Sequence, residues 1–205
     1  LSFFGLGNMQ NATLLKEGWA NHNYLTATED GKEWIVKFLI EQKKESLEND
    51  LAIQSQLARS GIKTSSYYNA PNGSFAYESS EVTAIISSRI EGEHPSRVNE
   101  ELSFAIGEAL ARFHTGVTSL PISRQAWLNP EFIESLVIKE GSPLTKEARK
   151  LISEGRGIYN KSLPKGIIHG DFCQENLLVN KENPTKIEAI FDFEEAEENL
   201  FVVDI

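Results

Sequence analysis

The sequence predicts an α+β protein in two unlike parts, and three observations predict it. Residues 12–40 show period-two apolar alternation broken by turn signals. Residues 45–59 show one apolar stripe at helical spacing. After Glu91-Gly92-Glu93-His94-Pro95, helical periodicity takes over. At 205 residues the chain can bury a real core, as one large domain or two small lobes.

In order, Gly18–Asn23 is turn-rich, Tyr24–Ala27 alternates, and Glu29-Asp30-Gly31-Lys32 is a hairpin signal before an apolar strand over Trp34–Ile40. Leu47, Leu51, Leu57 and Ala58 then predict a helix from Glu45 to Arg59, stopped by Ser60-Gly61. Tyr67–Asn69 and Phe75–Tyr77 flank Pro71-Asn72-Gly73 as a second hairpin, and Val82–Ile86 is a short strand ending at Ser87-Ser88-Arg89. Beyond residue 95, Asn99 suits an N-cap, and Leu102, Ile106, Ala109, Leu110 and Phe113 form one stripe, a buried helix. Ser142-Pro143 starts another helix through Leu144, Ala148, Leu151 and Ile152, which Gly155 and Gly157 weaken. Ile167–Ile168, Leu177–Val179 and Ile187–Phe191 read as short strands, the last two joined by the turn-rich Asn180–Thr185.

Composition excludes several classes. A net charge of −10 repels polyanions, and no basic patch offsets it, so nucleic acid is not an expected partner. No apolar run approaches the ~18 residues of a membrane span, and there is no signal-type start, so no membrane partner is expected and the default reading is a cytoplasmic enzyme. The single cysteine, Cys173, rules out an internal disulfide or a multi-cysteine metal site.

The chemistry concentrates in His169-Gly170-Asp171-Phe172-Cys173-Gln174-Glu175-Asn176, followed by Ile190-Phe191-Asp192-Phe193-Glu194. This matches H-x-D-x-x-x-x-N and then an aspartate ending an apolar strand, a spacing that chance produces in such a composition with probability about 0.006. Phosphoryl transfer needs in-line oxygens and neutralised phosphate charge, so it relies on positioning and electrostatics. Asn176 offers a carbonyl oxygen and Asp192 a carboxylate, a hard ligand set suited to Mg²⁺. Asp171 is the candidate catalytic base and His169 the support of its loop. Lys37, in the alternating strand Trp34–Phe38, stands where an ATP-phosphate lysine is expected, and Asp50, on the buried side of the next helix, is its candidate partner.

Lys16-Glu17-Gly18-Trp19-Ala20-Asn21-His22-Asn23-Tyr24, Leu57–Ile62, Ile106–His114, Leu163–Asp171 and Asp192–Ala196, closing at Val203-Asp204-Ile205, carry a family likeness. They resemble the aminoglycoside phosphotransferase and choline kinase superfamily, and within it the homoserine kinase branch. The resemblance implies a protein-kinase-like two-lobed fold. Residues 1–90 would be an antiparallel β-rich nucleotide-binding lobe and 91–205 a mainly helical lobe with the catalytic and metal-binding loops. It implies ATP and Mg²⁺ as cofactors, adenine held near Ser87, Ser88, Arg89 and Ile90, and Gly18, Asn21 and Asn23 over the phosphates. The acceptor would be a small hydroxylated molecule, with homoserine leading and choline-like or aminoglycoside acceptors open.

Two departures from the family pattern stand out. Relatives usually place glutamate where Asp50 stands, and a side chain one methylene shorter either draws the helix inward or loses a direct Lys37 pair. Relatives also continue with helices that help form the acceptor pocket, so part of that pocket is expected to be missing here. On the residues alone, two other readings stay open: a kinase-like binding module without turnover, and a metal-dependent hydrolase using His169, Asp171 and Asp192.

Overall fold

A computed structural model describes residues 1–15, 21–40, 44–118, 120–122, 129–140, 145–159 and 162–205. Gly18, and the helix start expected at Ser142-Pro143-Leu144, lie outside the described residues.

Among the described residues, β1 (Met9–Leu14), β2 (Asn21–Thr28), β3 (Glu33–Leu39), β4 (Ala76–Glu78) and β5 (Thr83–Ser88) form one antiparallel sheet in the order β1-β2-β3-β5-β4. The expected β2–β3 hairpin closes through the Gly31 N–H to the Thr28 carbonyl at 2.9 Å, with Gly31 at φ 79°, a backbone that glycine adopts without strain. Asn21–Asn23 belong to β2 and not to a turn, because each pairs with β3. Asn23 faces Lys37 and Asn21 faces Leu39, so Asn21, Asn23 and Lys37 share one face of the sheet.

The Pro71-Asn72-Gly73 turn forms, with the Gly73 N–H on the Ala70 carbonyl at 2.8 Å. Tyr67–Asn69, however, is not a strand. The β5 edge is divided, Ala76–Glu78 taking Thr83–Ile85 and Tyr67 taking only a single bridge to Ser87.

Helix α1 (Lys44–Arg59) buries Leu47, Ile53 and Leu57 completely. Each such side chain contributes about 1.5–3 kcal/mol of burial. Leu47 packs with Ala76 and Ile85 under the sheet, whereas Ile53 and Leu57 join Ala109, Phe113, Ile167, Leu177, Ile190 and Phe193 in the main core. One helix thus sits in both cores and ties the sheet to the second half of the chain. Helix α2 (Glu100–Gly116) starts as expected, the Asn99 side chain accepting the Leu102 N–H at 2.8 Å.

Helix α3 (Pro130–Glu140) is an addition to the expected elements. Its signal is local: Asn129 accepts the Phe132 N–H at 2.8 Å, proline opens the helix and Glu131 follows. Helix α4 (Thr145–Tyr159) runs through Gly155 and Gly157 instead of weakening there. Each glycine costs about 1 kcal/mol, and the end of the helix is anchored, where Arg156 pairs with Glu134 and lies 3.6 Å from Glu131, and the Tyr159 hydroxyl donates to Asn199.

Two further antiparallel pairs follow in the second half: β6 (Lys165–Ile168) with β9 (Glu197–Leu200), and β7 (Leu177–Val179) with β8 (Ile187–Ile190). β9 has no strand signature in the sequence because its inward residues are polar. Glu197 is fully buried and accepts from Asn199 Nδ2 at 2.6 Å, so no apolar alternation marks the strand. No helix among the described residues is long and apolar enough to cross a membrane.

Candidate active site

The loop between β6 and β7 carries His169, Gly170, Asp171 and Asn176. Gly170 has φ 80°, and a Cβ there would lie 2.3 Å from the Glu195 carbonyl oxygen, so only glycine fits. Two adjacent backbone N–H groups, of His169 and Gly170, donate to the two oxygens of Asp204 at 2.8 and 2.9 Å. Asp204 Oδ2 also lies 2.7 Å from His114 Nε2 at the end of α2. Burial pushes the Asp204 carboxyl up, but the hydrogen bonds from His114, His169 and Gly170 outweigh it and hold its pKa below the usual value.

His169 is completely buried among the rings of Phe113, Phe172 and Phe193. Its Nε2 lies 3.1 Å from the Phe191 carbonyl, an acceptor, so Nε2 carries the hydrogen and Nδ1 does not. Burial lowers its pKa, which keeps the ring neutral. The ring therefore braces the backbone immediately before Asp192.

Asn176 works on the same backbone from the other side. Its carbonyl accepts the Phe191 N–H at 3.2 Å, and its side-chain Nδ2 donates to both the backbone oxygen and Oδ2 of Asp171, each at 2.9 Å. Only the NH₂ end can donate twice, so Oδ1 is turned away from Asp171. Asp192 follows with φ 66°, the one non-glycine residue with positive φ among those described. Aspartate tolerates this left-handed conformation better than most residues, and such positions concentrate at functional sites.

Lys37 closes the site from β3. Its Nζ lies 3.3 Å from Asp192 Oδ1 and 3.2 Å from Glu194 Oε2, with only 16% of the side chain exposed. Burial opposes its charge, but the carboxylates of Asp192, Glu194 and Asp50 prevail and raise its pKa. Glu194 Oε2 also accepts from Asn21 Nδ2 at 3.1 Å, while Asn21 Oδ1 accepts the Ile40 N–H at 3.0 Å. Asp50 does not form the expected direct pair with Lys37. Its carboxylate, 2% exposed, instead accepts the Tyr67 hydroxyl at 2.7 Å and reaches Lys37 only through its field.

Lys37, Asp192, Asn176, Asp171 and His169 are thus brought together, with Asn21 at their edge. Asn23 lies opposite Lys37 on β2. Ser87 and Ser88 end β5, and Arg89 is held beside β3, its N–H on the Glu33 carbonyl at 3.3 Å and its guanidinium on Glu33 Oε2 at 2.6 Å. Ile90 follows on the path to residue 93, which bridges Val179. Cys173 is no nucleophile, because burial pushes its thiol up to about 11.

The donor chemistry fits a hard cation: the Asn176 amide and the Asp192 carboxylate belong to residues that flank the open end of the β7–β8 hairpin, where the Phe191 N–H donates to the Asn176 carbonyl. Among the described residues no group of three or more His, Cys, Asp or Glu side chains is placed to hold a metal. A cation here would therefore take the rest of its shell from phosphate and water.

Three participants go beyond the residues that the sequence singles out. Glu194, two residues beyond Asp192, carries a signal in its position. His114 and Asp204 stand in the sequence only as parts of family-like stretches. Nothing in spacing announces that the Asp204 side chain meets the loop 34 residues before it, or that His114, 90 residues before it, reaches the same carboxylate.

The chain matches the model of a phosphotransferase enzyme family over residues 11–205. It is 24% identical over 209 residues to a homoserine kinase of Methylobacillus flagellatus, covering all of this chain and 64% of that protein. It is 25% identical over 213 residues to one of Bradyrhizobium diazoefficiens, again covering 64% of it. The chain thus spans less than two thirds of the length of these relatives. Among solved structures, an amicoumacin kinase in complex with AMP-PNP, Ca²⁺ and Ami superposes with a TM-score of 0.73 at 18% identity, over 97% of this chain and 64% of that one. A spectinomycin phosphotransferase with ADP and spectinomycin gives 0.69 at 18% identity, over 97% and 68%. The kinase-like fold, an antiparallel sheet followed by a helical part, is shared with these enzymes.

Proposed function

The chain belongs to the phosphotransferase enzyme family, and from that premise we propose that it carries the ATP-dependent core of a small-molecule kinase that phosphorylates an alcohol, with homoserine as the acceptor. The observation that carries this reading is the continuous hydrogen-bonded path from Asp171 through Asn176 to the backbone of Phe191, and from Asp192 to Lys37.

In this reading Asp171 accepts a hydrogen bond from the acceptor hydroxyl and takes its proton as the oxygen attacks the γ-phosphorus. Lys37 holds the phosphates, Asn176 Oδ1 and Asp192 hold Mg²⁺, and His169 keeps the loop in place. Mg²⁺ supplies neutralisation of the phosphate charge when bound. Residues 1–90 form the nucleotide-binding lobe, with Ser87–Ile90 on the adenine and Gly18, Asn21 and Asn23 over the phosphates. Residues 91–205 form the lobe with the catalytic loops. ATP-dependent chemistry of this kind suits a cytoplasmic enzyme.

Homoserine rests on the curated relatives, which are homoserine kinases. Solved neighbours include aminoglycoside phosphotransferases, which supports an aminoglycoside-type acceptor as the second reading. Acceptor-dependent ADP release by the full-length protein with Mg²⁺-ATP separates them, screened with homoserine, choline, an aminoglycoside and no acceptor. Release with homoserine alone is expected. Release with another acceptor discards homoserine and keeps the chemistry, and silence with every acceptor favours a binding module.

A further inference from the structure

In this protein helix α1 offers Lys37 an aspartate, shorter than glutamate by one C–C bond of about 1.5 Å. That aspartate is committed elsewhere: Asp50 Oδ2 accepts the Tyr67 hydroxyl at 2.7 Å. Tyr67 is itself fixed, by its bridge to Ser87 and by its N–H on Gln54 Oε1 at 3.3 Å. Among the described residues, the carboxylates within ion-pair distance of Lys37 come from the other side of the cleft, Asp192 at 3.3 Å and Glu194 at 3.2 Å.

These two carboxylates are not equivalent. In the proposed function Asp192 turns to the cation, and its grip on Lys37 weakens once it does. Glu194 has no such duty, and it is held in place. One oxygen of Glu194 receives both Lys37 Nζ and Asn21 Nδ2, at 3.2 and 3.1 Å. The Asn21 amide is clamped at its other end by the Ile40 N–H at 3.0 Å, and the residue is only 4% exposed. Asn21 and Lys37 stand on one face of adjacent strands, so the bridge reaches from the sheet to the segment after β8.

We propose that Glu194, fixed by Asn21, is the residue that positions Lys37 for the nucleotide phosphates, a task that helix α1 and Asp50 do not perform here. Glu194 is a positioning residue: it acts on phosphate through the Lys37 ammonium. Asn21 acts through Glu194, a role distinct from covering the phosphates directly. The inference rests on the ATP-dependent reading of this site and names the part that Glu194 plays in it.

The test uses the full-length protein and three single variants, Glu194→Gln, Asn21→Ala and Asp50→Asn, with the double variant Asn21→Ala/Glu194→Gln. ATP dissociation constants are measured by titration calorimetry at two Mg²⁺ concentrations, with KM and kcat alongside and a melting curve for each variant. Glu194→Gln is expected to raise the ATP dissociation constant and KM about tenfold or more, the scale of one charge-assisted hydrogen bond, and to lower kcat by a smaller factor. Asn21→Ala is expected to raise them less and to add little in the double variant, because it acts through the same carboxylate. Asp50→Asn is expected to change ATP affinity less than Glu194→Gln does.

An Asp50→Asn defect as large as that of Glu194→Gln overturns the proposal, as do additive effects of Asn21 and Glu194. Restoration of Glu194→Gln by high Mg²⁺ also overturns it, since that is the signature of a cation ligand. If Glu194→Gln fails to fold, Asn21→Ala is expected to weaken ATP binding more than Asp50→Asn does, and the reverse order overturns the proposal. A folded wild-type protein that binds no ATP overturns the ATP-dependent reading itself, and the proposal with it.

Discussion

Asn176 Nδ2 donates to Asp171 Oδ2 at 2.9 Å, so the side chain proposed to orient the acceptor is held by the side chain proposed to hold the cation. An Asp171→Asn substitution keeps this contact, because the new amide can present its oxygen to Asn176. It removes only basicity. A fall in kcat of about 10²–10⁴-fold is expected, with ATP affinity little changed. Turnover assays and nucleotide titration on the one variant check both halves, and unimpaired turnover would remove Asp171 as the base.

Asp192→Asn isolates charge in a different way. Asparagine tolerates φ 66° as well as aspartate does, so the backbone before β9 is expected to stay as it is. The variant is expected to lose at least about tenfold in Mg²⁺-dependent ATP affinity, while its melting curve without nucleotide stays close to that of the wild type. A titration of ATP with and without Mg²⁺ separates the two effects.

Gly170→Ala is expected to damage the loop sharply. The left-handed backbone costs a residue with a Cβ about 1–2 kcal/mol, and the added atom meets the Glu195 carbonyl at 2.3 Å. Overpacking of this kind adds about 1–3 kcal/mol. A melting temperature lower by several degrees, together with lost turnover, is the expected result, read by calorimetry.

Acid should act in two stages. The folded pKa of His169 is lowered from 6.5, so the unfolded chain binds a proton first, and stability present above about pH 6.5 falls as the pH drops toward the folded value. Asp204 has its folded pKa lowered from 3.8, so its contribution is present above that value and is lost as the pH falls further through the folded pKa. Denaturant midpoints between pH 8 and pH 3 would show a first decline below about 6.5. An Asp204→Asn variant is expected to lose the second stage while keeping the first.

Much of this is legible in the sequence because local chemistry announces itself. The Gly31 hairpin, the Asn99 cap and the stripe over Leu102–Phe113 each arise from neighbouring residues, and the H-x-D-x-x-x-x-N run places Asp171 and Asn176 within one loop. The hidden part depends on side chains meeting across the fold. Asp50 carries the right charge on the right helical face, but the Tyr67 hydroxyl claims it, and no periodicity reveals such competition. β9 hides behind the buried Glu197–Asn199 pair, whereas α3 has a legible start in Asn129-Pro130-Glu131 and no strong stripe to announce its length. The loop's dependence on Asp204 is a matter of three-dimensional closure alone.

That closure also has a timetable. A ribosome adding roughly 5–20 residues per second completes Asp204 about 2–7 s after His169, since 35 positions separate them. Through that interval the nascent chain carries the His169–Asn176 loop without the carboxylate that anchors two of its N–H groups. A growing polypeptide is therefore expected to fix the geometry of this loop late, after the sheet and α1 have been made. Chains stalled with residue 204 still inside the ribosomal exit tunnel, or well clear of it, would report this directly, through protease cleavage near Gly170 that disappears only in the longer set.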